Sequence, residues 1–427
     1  MSGAVVVPQA DVVVARDAPR SWKAPIVMAA FTVVALLWFV LGTGGEQVAF
    51  RWSQSRDVIQ VPDTVLSAKA LAIVATVILA VVTIVAAVLV QRRRAVSVWL
   101  SAGFALVWLA ALLGQIGQGT TLSIVLLTTG ALGLATPLIY GALAGVIGER
   151  VGVVNIAIEG QLLMGAFLGA VVGSITGSLW AGVLAGMIGG ALVSLVLAAF
   201  SITYLVDQII VGVVLNVLVI GITNFFFSAV LSSNAQALNF PGTFPKIAIP
   251  VLSDIPVIGP TLFDQRITTY LMYVLVPLVW FVLFKTRVGL RIRAVGEHPL
   301  AADTVGIDVN RMRFWTVTIA GLIAGLGGAV LTLGESNAFV REMSNGQGYI
   351  ALACVILGRW NPVMAALAAL MFGFARNLAI VANQAGSDIP ADLIATTPYV
   401  VTLIAVAGLI GRAIGPAAAG KPYVAGH

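Results

Sequence analysis

An all-α bundle of about twelve membrane-spanning helices, give or take two, is the fold this sequence predicts, and three observations carry it. First, 60% of the 427 residues are apolar and only 9% are charged, with a mean hydropathy of +1.05. A soluble domain carries about 25% charged residues to solvate its surface. That polar coat is missing here, so most of the surface must face hydrocarbon. Second, apolar runs long enough to cross a bilayer recur along the whole chain, and a helix through each would satisfy its own backbone hydrogen bonds. Third, Lys and Arg fall in short clusters between the runs with a bias to alternate gaps, which orients the chain with both termini in the cytoplasm.

The runs lie at residues 24–43, 70–90, 98–114, 121–147, 153–173, 180–200, 209–231, 268–284 and 314–333, then a short one at 349–357, then 362–380 and 393–409. Arg16, Arg20 and Lys23 precede the first run and no small-residue cleavage site follows it, so it is expected to be a retained span. The 45 glycines suit helices that pack closely through small residues. On the cytoplasmic side the expectation places Arg92, Arg93, Arg94, Arg150, the basic stretch 285–313, Arg359, Arg412 and Lys421. The outer gaps hold Arg51, Arg56, Lys69, Lys246, Arg266 and Arg341. This scatter between spans, and not on one stripe, argues against nucleic acid as a partner despite the net charge of +6. Cys354 is the one cysteine, and His298 and His427 are far apart, so neither a disulfide framework nor a metal site is expected.

Two hydrophilic connections stand out. Residues 234–266 hold Pro241, Pro245, Pro250, Pro256 and Pro260, which predicts a stiff, extended, non-helical outer loop. Residues 285–313 are basic and too long for a simple turn between packed helices. A faint internal echo links Gly141 and Gly145, followed by Gly160-Gln161, with Gly321 and Gly325, followed by Gly346-Gln347. Transporters are often built from such repeats around broken helices.

Polar residues inside apolar runs are the candidates for a solute pathway. Asn155 and Glu159 are four apart and would share one face of a helix, with Gln161 close behind. They either tie neighbouring helices together or serve the substrate or a gate. Asn216 and Asn224 lie near one stripe, where amides offer both donors and acceptors to a heterocycle or a sugar hydroxyl; helix–helix bonding is the alternative. Arg376 and Asn377 fall within the run 362–380, and Arg376 is expected either to face a cavity, to pair with Glu335 or Glu159, or to snorkel outward. Arg359 and Trp360 are expected to anchor a cytoplasmic helix end.

The stretch from Arg291 to Ile307 carries a different signal. Pro299 suits the first turn of a helix and Gly306 a left-handed C-terminal cap. Between them stand Leu300, Ala301, Ala302 and Val305, a segment too short to be stable alone. It is expected to be a rigid, small-faced cytoplasmic knob that seats in a partner's groove.

From Arg293 to Ile307, with Arg293, Gly296, Glu297, Pro299, Ala301, Ala302 and Gly306, that stretch closely resembles the cytoplasmic coupling segment of ABC importer permeases of the branched-chain amino acid, ribose and nucleoside group. Ala135-Thr-Pro-Leu-Ile-Tyr-Gly141, Val153 to Phe167, Ser253 to Pro260, Tyr349 to Pro362, and Gly411-Arg412 with Gly420 to Tyr423 resemble its nucleoside (simple-sugar-type) branch. The resemblance runs from about residue 122 to 423 and divides the chain into three parts. Residues 1–120 carry about three extra spans of unknown role, 121–412 form a permease core, and 413–427 form a cytoplasmic tail.

The resemblance implies a translocation subunit and not an enzyme. It implies a second related permease, an ATPase that binds ATP and Mg in another chain, an extracytoplasmic substrate-binding lipoprotein, and a nucleoside-like or simple-sugar solute. Residues 415–422 imitate a phosphate-binding loop in their glycine and lysine spacing, but Pro422 stands where the magnesium-holding Ser/Thr is needed, and no cofactor is expected in this chain. An ion-coupled secondary transporter would rest on Glu159 alone and leaves the knob unexplained. A membrane transferase would need clustered carboxylates or histidines, which the sequence does not offer.

Overall fold

The computed structural model describes residues 21–55, 57–385, 396 and 415–424. Among these, ten helices are long and apolar enough to cross a membrane, and one shorter apolar helix stands beside them. The chain is a polytopic all-α membrane protein. The span expected at 393–409 lies, but for residue 396, outside the described residues.

Two compact units make up the chain: Met1–Val48 with Leu66–Gly119, and Ala49–Val65 with Thr120–His427. The first unit holds α1 (Lys23–Val34, prolonged by a π-helical turn Ala35–Val40), α2 (Ala68–Gln91) and α3 (Val98–Ile116). Ser67 and Ser97 open α2 and α3 by accepting first-turn N–H groups. Trp108 is the pivot of the packing, with Phe31 edge-on at 5.4 Å and Phe39 tilted at 5.3 Å. The faces turned away, such as Ile73, Val77, Val81 and Ile84 on α2, are exposed and apolar, as a lipid-facing surface requires.

Strand β1 (Gln47–Arg51), which enters the second unit at Ala49, pairs in parallel with β3 (Thr121–Ser123), from Ala49 opposite Thr121 to Arg51 opposite Ser123. A short β2 (Thr64–Ser67) lies on the other side of β1. Then follow α4 (Ile124–Arg150), α5 (Ile158–Thr176), α6 (Leu179–Ala198) and α7 (Gln208–Phe226). After α8 (Ala235–Leu238) come α9 (Ile267–Lys285), α10 (Arg287–Glu297), α11 (Pro299–Thr304), α12 (Val309–Ala329), α13 (Gln347–Leu357) and α14 (Pro362–Gln384). Side-chain caps at Ser123, Ser178, Asp207, Asp308 and Asn361 explain why α4, α6, α7, α12 and α14 begin where they do. Helices α4 and α12 are the buried centre; α12 packs on α6, α5 and α4, and α14 on α4.

Glycine makes the α6–α12 contact possible. A Cβ at Gly190 would overlap the Gly321 carbonyl oxygen, and one at Gly328 would overlap the Leu162 carbonyl of α5. Without a hydrophobic effect between helices in lipid, this backbone-to-backbone approach supplies the dispersion contacts that hold them.

Two expectations are corrected. The run 153–173 is not one helix: α5 starts only at Ile158, and residues 151–157 are a turn, so Asn155 shares no helical face with Glu159. The proline-rich stretch 234–266 does contain helix, at α8 and at a π-helical turn Gly259–Phe263, because Pro260 occupies a first turn where its missing N–H costs nothing. Its strands β4 (Lys246–Ala248) and β5 (Asp264–Arg266) pair antiparallel. The basic stretch 285–313 is, as expected, more than a connector, since α10 and α11 fill most of it.

Candidate translocation and coupling site

Helix α5 begins inside the bundle, well before the level at which α4 ends. Ile158 abuts Gly141 and Gly145 of α4, and Gly145 lies five residues ahead of Arg150, about 7 Å along a helix. The turn 151–157 therefore folds back into the protein and carries polar residues to depth.

Glu159, in the first turn of α5, is 5% exposed. Its carboxylate accepts from Ser344 Oγ at 2.6 Å, from the Gly346 N–H at 2.8 Å and from the Gly348 N–H at 2.6 Å. It thus caps α13, whose 11 residues reach about 16 Å and cannot cross the hydrocarbon alone. The positive ends of two helices, α5 and α13, meet at this one anion. Asn155 and Gln161, both fully buried, bond reciprocally at 3.1 and 3.0 Å, and Gln161 also donates to Ser194 of α6 at 2.8 Å. Asn216 of α7 accepts the Gly160 N–H at 2.8 Å and donates to the Ile156 carbonyl at 2.9 Å and to Tyr349 Oη at 3.1 Å. Four of the sequence candidates thus form one cluster around the α5 and α13 N-termini, with Ser194, Ser344 and Tyr349, which the sequence did not mark.

The other candidates stand apart from it. Asn224, half-buried, donates to Glu342 at 3.0 Å. Asn377 locks α14 to the start of α4, donating to the Leu126 and Leu127 carbonyls at 3.2 and 2.7 Å. Arg376 is half-buried beside it. Of the two carboxylates considered for Arg376, Glu335 pairs with Arg266 at 3.6 Å and Glu159 is the α13 cap.

On the opposite face, α11 has the form the sequence predicted. Pro299 opens it, Gly306 closes it at φ +82°, and Ala302 is buried while Leu300, Ala301 and Val305 are exposed. Below it, α10 is wedged against the end of α4: a Cβ on Gly296 would overlap the Arg150 carbonyl oxygen. The guanidinium groups of Arg150 and Arg293 both lie over the Phe284 ring, at 5.5 and 5.2 Å. Arg150 further donates to the Trp360 carbonyl at 3.0 Å, and Trp360 donates to the buried Glu149 carboxylate.

The tail residues 415–424 strap these parts together. Ala418 donates to the Gly296 carbonyl at 2.9 Å, Ala417 to the Glu297 carboxylate at 3.2 Å and Gly420 to the Gly152 carbonyl at 3.3 Å. Arg313 of α12, 2% exposed, donates to the Lys421 carbonyl at 2.9 Å. The phosphate-loop imitation is thus a structural strap. The roles of Arg313, Gly152 and the strap were missed in the sequence; the one available signal was Arg313 directly at the start of an apolar run.

A membrane bundle with a polar cluster at a broken helix and an exposed knob on one face fits a transport-system permease. Residues 127–410 match the family described as branched-chain amino acid transport system / permease component, and the chain belongs to that family. It is 44% identical over 301 residues to the guanosine ABC transporter permease protein NupQ of Bacillus subtilis, covering 68% of this chain and 94% of the relative. It is 37% identical over 299 residues to the nucleoside ABC transporter permease protein NupC of Lactococcus lactis, again covering 68% and 94%. No solved structure matches the chain. As a family member it is a multi-pass translocation component and not an enzyme.

Proposed function

We propose that this chain forms part of the pathway by which an ATP-driven importer carries nucleosides across the cell membrane. The Gly296–Arg150 contact carries the reading. It joins the exposed knob α11 through α10 to the end of α4, a 27-residue helix about 40 Å long that crosses the whole bundle. Force applied to the knob by a soluble motor therefore reaches α4, the turn 151–157 and the Asn155–Gln161 pair without passing through a flexible link.

In this reading the knob, the strap and both termini are cytoplasmic, which agrees with the clustering of Arg150, Arg287, Arg291, Arg293, Arg311 and Arg359 at that face. The partner ATPase binds ATP and Mg, and the chain itself holds neither. A second related permease completes the pathway, and an extracytoplasmic binding lipoprotein delivers solute to the outer face, where residues 234–266 contribute to docking. The nucleoside assignment is supported by the substrates named for the two relatives, at 44% and 37% identity. Contacts within the pathway are weak by design, since a solute held tightly would not be released.

The test is uptake of radiolabelled nucleosides and of ribose in cells with and without this chain, under ATP depletion that preserves the proton gradient. ATP-dependent nucleoside uptake lost with the chain is the expected result. Loss of ribose uptake alone changes the substrate and keeps the mechanism. Uptake that survives ATP depletion and collapses with the gradient overturns it.

A further inference from the structure

The role of the N-terminal region lies outside the family match, which begins at residue 127. Yet residues 49–65 belong to the same compact unit as the permease core. Strand β1 is fixed to β3, the strand leading directly into α4, by parallel pairing from Ala49 to Arg51. Beyond it the loop is braced by its own bonds. Trp52 donates to Thr64 Oγ1 at 2.9 Å, Gln60 donates to the Gln54 and Asp57 carbonyls at 2.9 and 2.7 Å, and the Gln54 N–H reaches the Asp57 carboxylate at 2.6 Å.

This braced loop forms one wall of a chamber of about 850 Å³, and the core forms the other with Ser123, Leu126 and Thr129 of the α4 entry and with Lys246, Pro260 and Asp264. The chamber sits at the start of α4, the end far from the knob. Its volume is in the range of small-molecule sites. Among the described residues, the charges in its lining are two cations, Arg51 and Lys246, and two carboxylates, Asp63 and Asp264. They neutralise each other in pairs, Arg51 with Asp63 at 3.5 Å and Lys246 with Asp264 at 4.0 Å. What remains for a solute is an uncharged set of amide and hydroxyl groups, among them Gln54, Ser55 and Thr129, the last with its hydroxyl buried and free of any hydrogen-bond partner. One turn further along α4, Gly133 faces Glu335, the partner of Arg266, so polar lining continues inward.

We propose that residues 51–55 and 60–63 complete an outer receiving chamber for an uncharged, hydroxyl-rich solute, so that the N-terminal addition builds part of the solute route. The inference rests on the nucleoside-import reading and narrows it: each cation described in the lining already has a carboxylate beside it, which suits nucleosides and disfavours nucleotides, whose phosphates would meet Asp63 and Asp264.

Cysteine accessibility in whole cells tests it. Cys354 is buried and stays silent toward a membrane-impermeant maleimide. Ser55→Cys places a thiol in the chamber with almost no change of volume, and Val58→Cys, on the same loop but outside the chamber and 77% exposed, is the control. Nucleoside is expected to slow labelling of Ser55→Cys about three-fold at twice its half-saturating concentration, because only the unoccupied third of the chambers reacts. Labelling of Val58→Cys is expected to stay unchanged, as is Ser55→Cys labelling with the corresponding nucleoside monophosphate. If Ser55→Cys is not labelled from outside, or nucleoside protects neither thiol while uptake proceeds, the chamber is wrong and the import reading stands. Equal protection of both thiols makes the loop a surface covered by the delivering protein and overturns the solute site. If the unaltered cells take up no nucleoside through this chain, both readings fall together.

Discussion

Gly348 of α13 donates its backbone N–H to the carboxylate of Glu159 at 2.6 Å, joining two helices 189 residues apart in sequence. With Ser344 and Gly346 as further donors, this carboxylate is what allows a helix to begin inside the membrane. Hydrogen bonds to a charged group contribute about 1.5–3 kcal/mol each, and orphaned buried donors cost more still. Glu159→Ala is therefore expected to lower stability by at least about 3 kcal/mol, read as a drop in the thermal unfolding midpoint of the detergent-purified protein. Glu159→Gln, which keeps one acceptor of the same shape, is expected to fall between. A near-normal midpoint for the alanine variant would show that α13 does not depend on this cap.

Gly296 bears on coupling and not on stability of the spans. Any side chain there must push α10 off the Arg150 carbonyl. Overpacking of this kind costs about 1–3 kcal/mol, and a shift of that size alters a conformational equilibrium by roughly ten-fold or more. Gly296→Ala is expected to reach the membrane in normal amount, yet to lose about ten-fold in nucleoside uptake while ATP hydrolysis by the assembled transporter continues. Val81→Leu, on the exposed apolar face of α2, is the control that leaves both unchanged. Uptake and hydrolysis falling in step would instead indicate failed assembly.

The spans were legible because hydrocarbon thickness imposes a length and a composition on any crossing helix. The knob was legible because Pro299 and Gly306 act through local backbone geometry. Asn155 was misplaced for the opposite reason. Hydropathy does not register that residues 151–157 turn back into the bundle, since a buried turn and a buried helix are equally apolar. The partners of Glu159 and Gln161 lie on other helices, at separations that no local pattern encodes. The strap was hidden by its composition: Gly415 to Gly420 bond through backbone groups, which every sequence supplies.

Arg313 provides a test of that strap. Its guanidinium is buried, donates to the Lys421 carbonyl, and leaves two further nitrogens without acceptors. Replacing a poorly satisfied buried charge by an apolar side chain is often neutral or stabilising. Arg313→Met is expected to leave the unfolding midpoint within about 1 kcal/mol of the original while freeing the tail. The Ala418 amide, now bonded to Gly296, should then exchange its hydrogen about ten-fold faster or more. Unchanged exchange would mean that the Gly296 and Gly152 bonds hold the strap without Arg313.

The Asn155–Gln161 pair separates a structural cluster from a solute-contacting one. Either residue changed alone to leucine leaves its partner's amide short of a bond in a dry interior, at a cost of about 1–3 kcal/mol. Changing both removes donor and acceptor together, so the double variant is expected to lose about 1–2 kcal/mol less than the sum of the single losses. Thermal unfolding of the three variants measures this coupling, and uptake measures what it serves. Gln161 also holds Ser194 on α6, so its single variant is expected to be the more costly of the two. If the losses add within about 0.5 kcal/mol, the pair contributes nothing jointly. A pair that couples in stability, with half-saturation for nucleoside unchanged in the double variant, is a joint between helices and not a solute contact. A raised half-saturation at preserved stability would place both amides on the route itself.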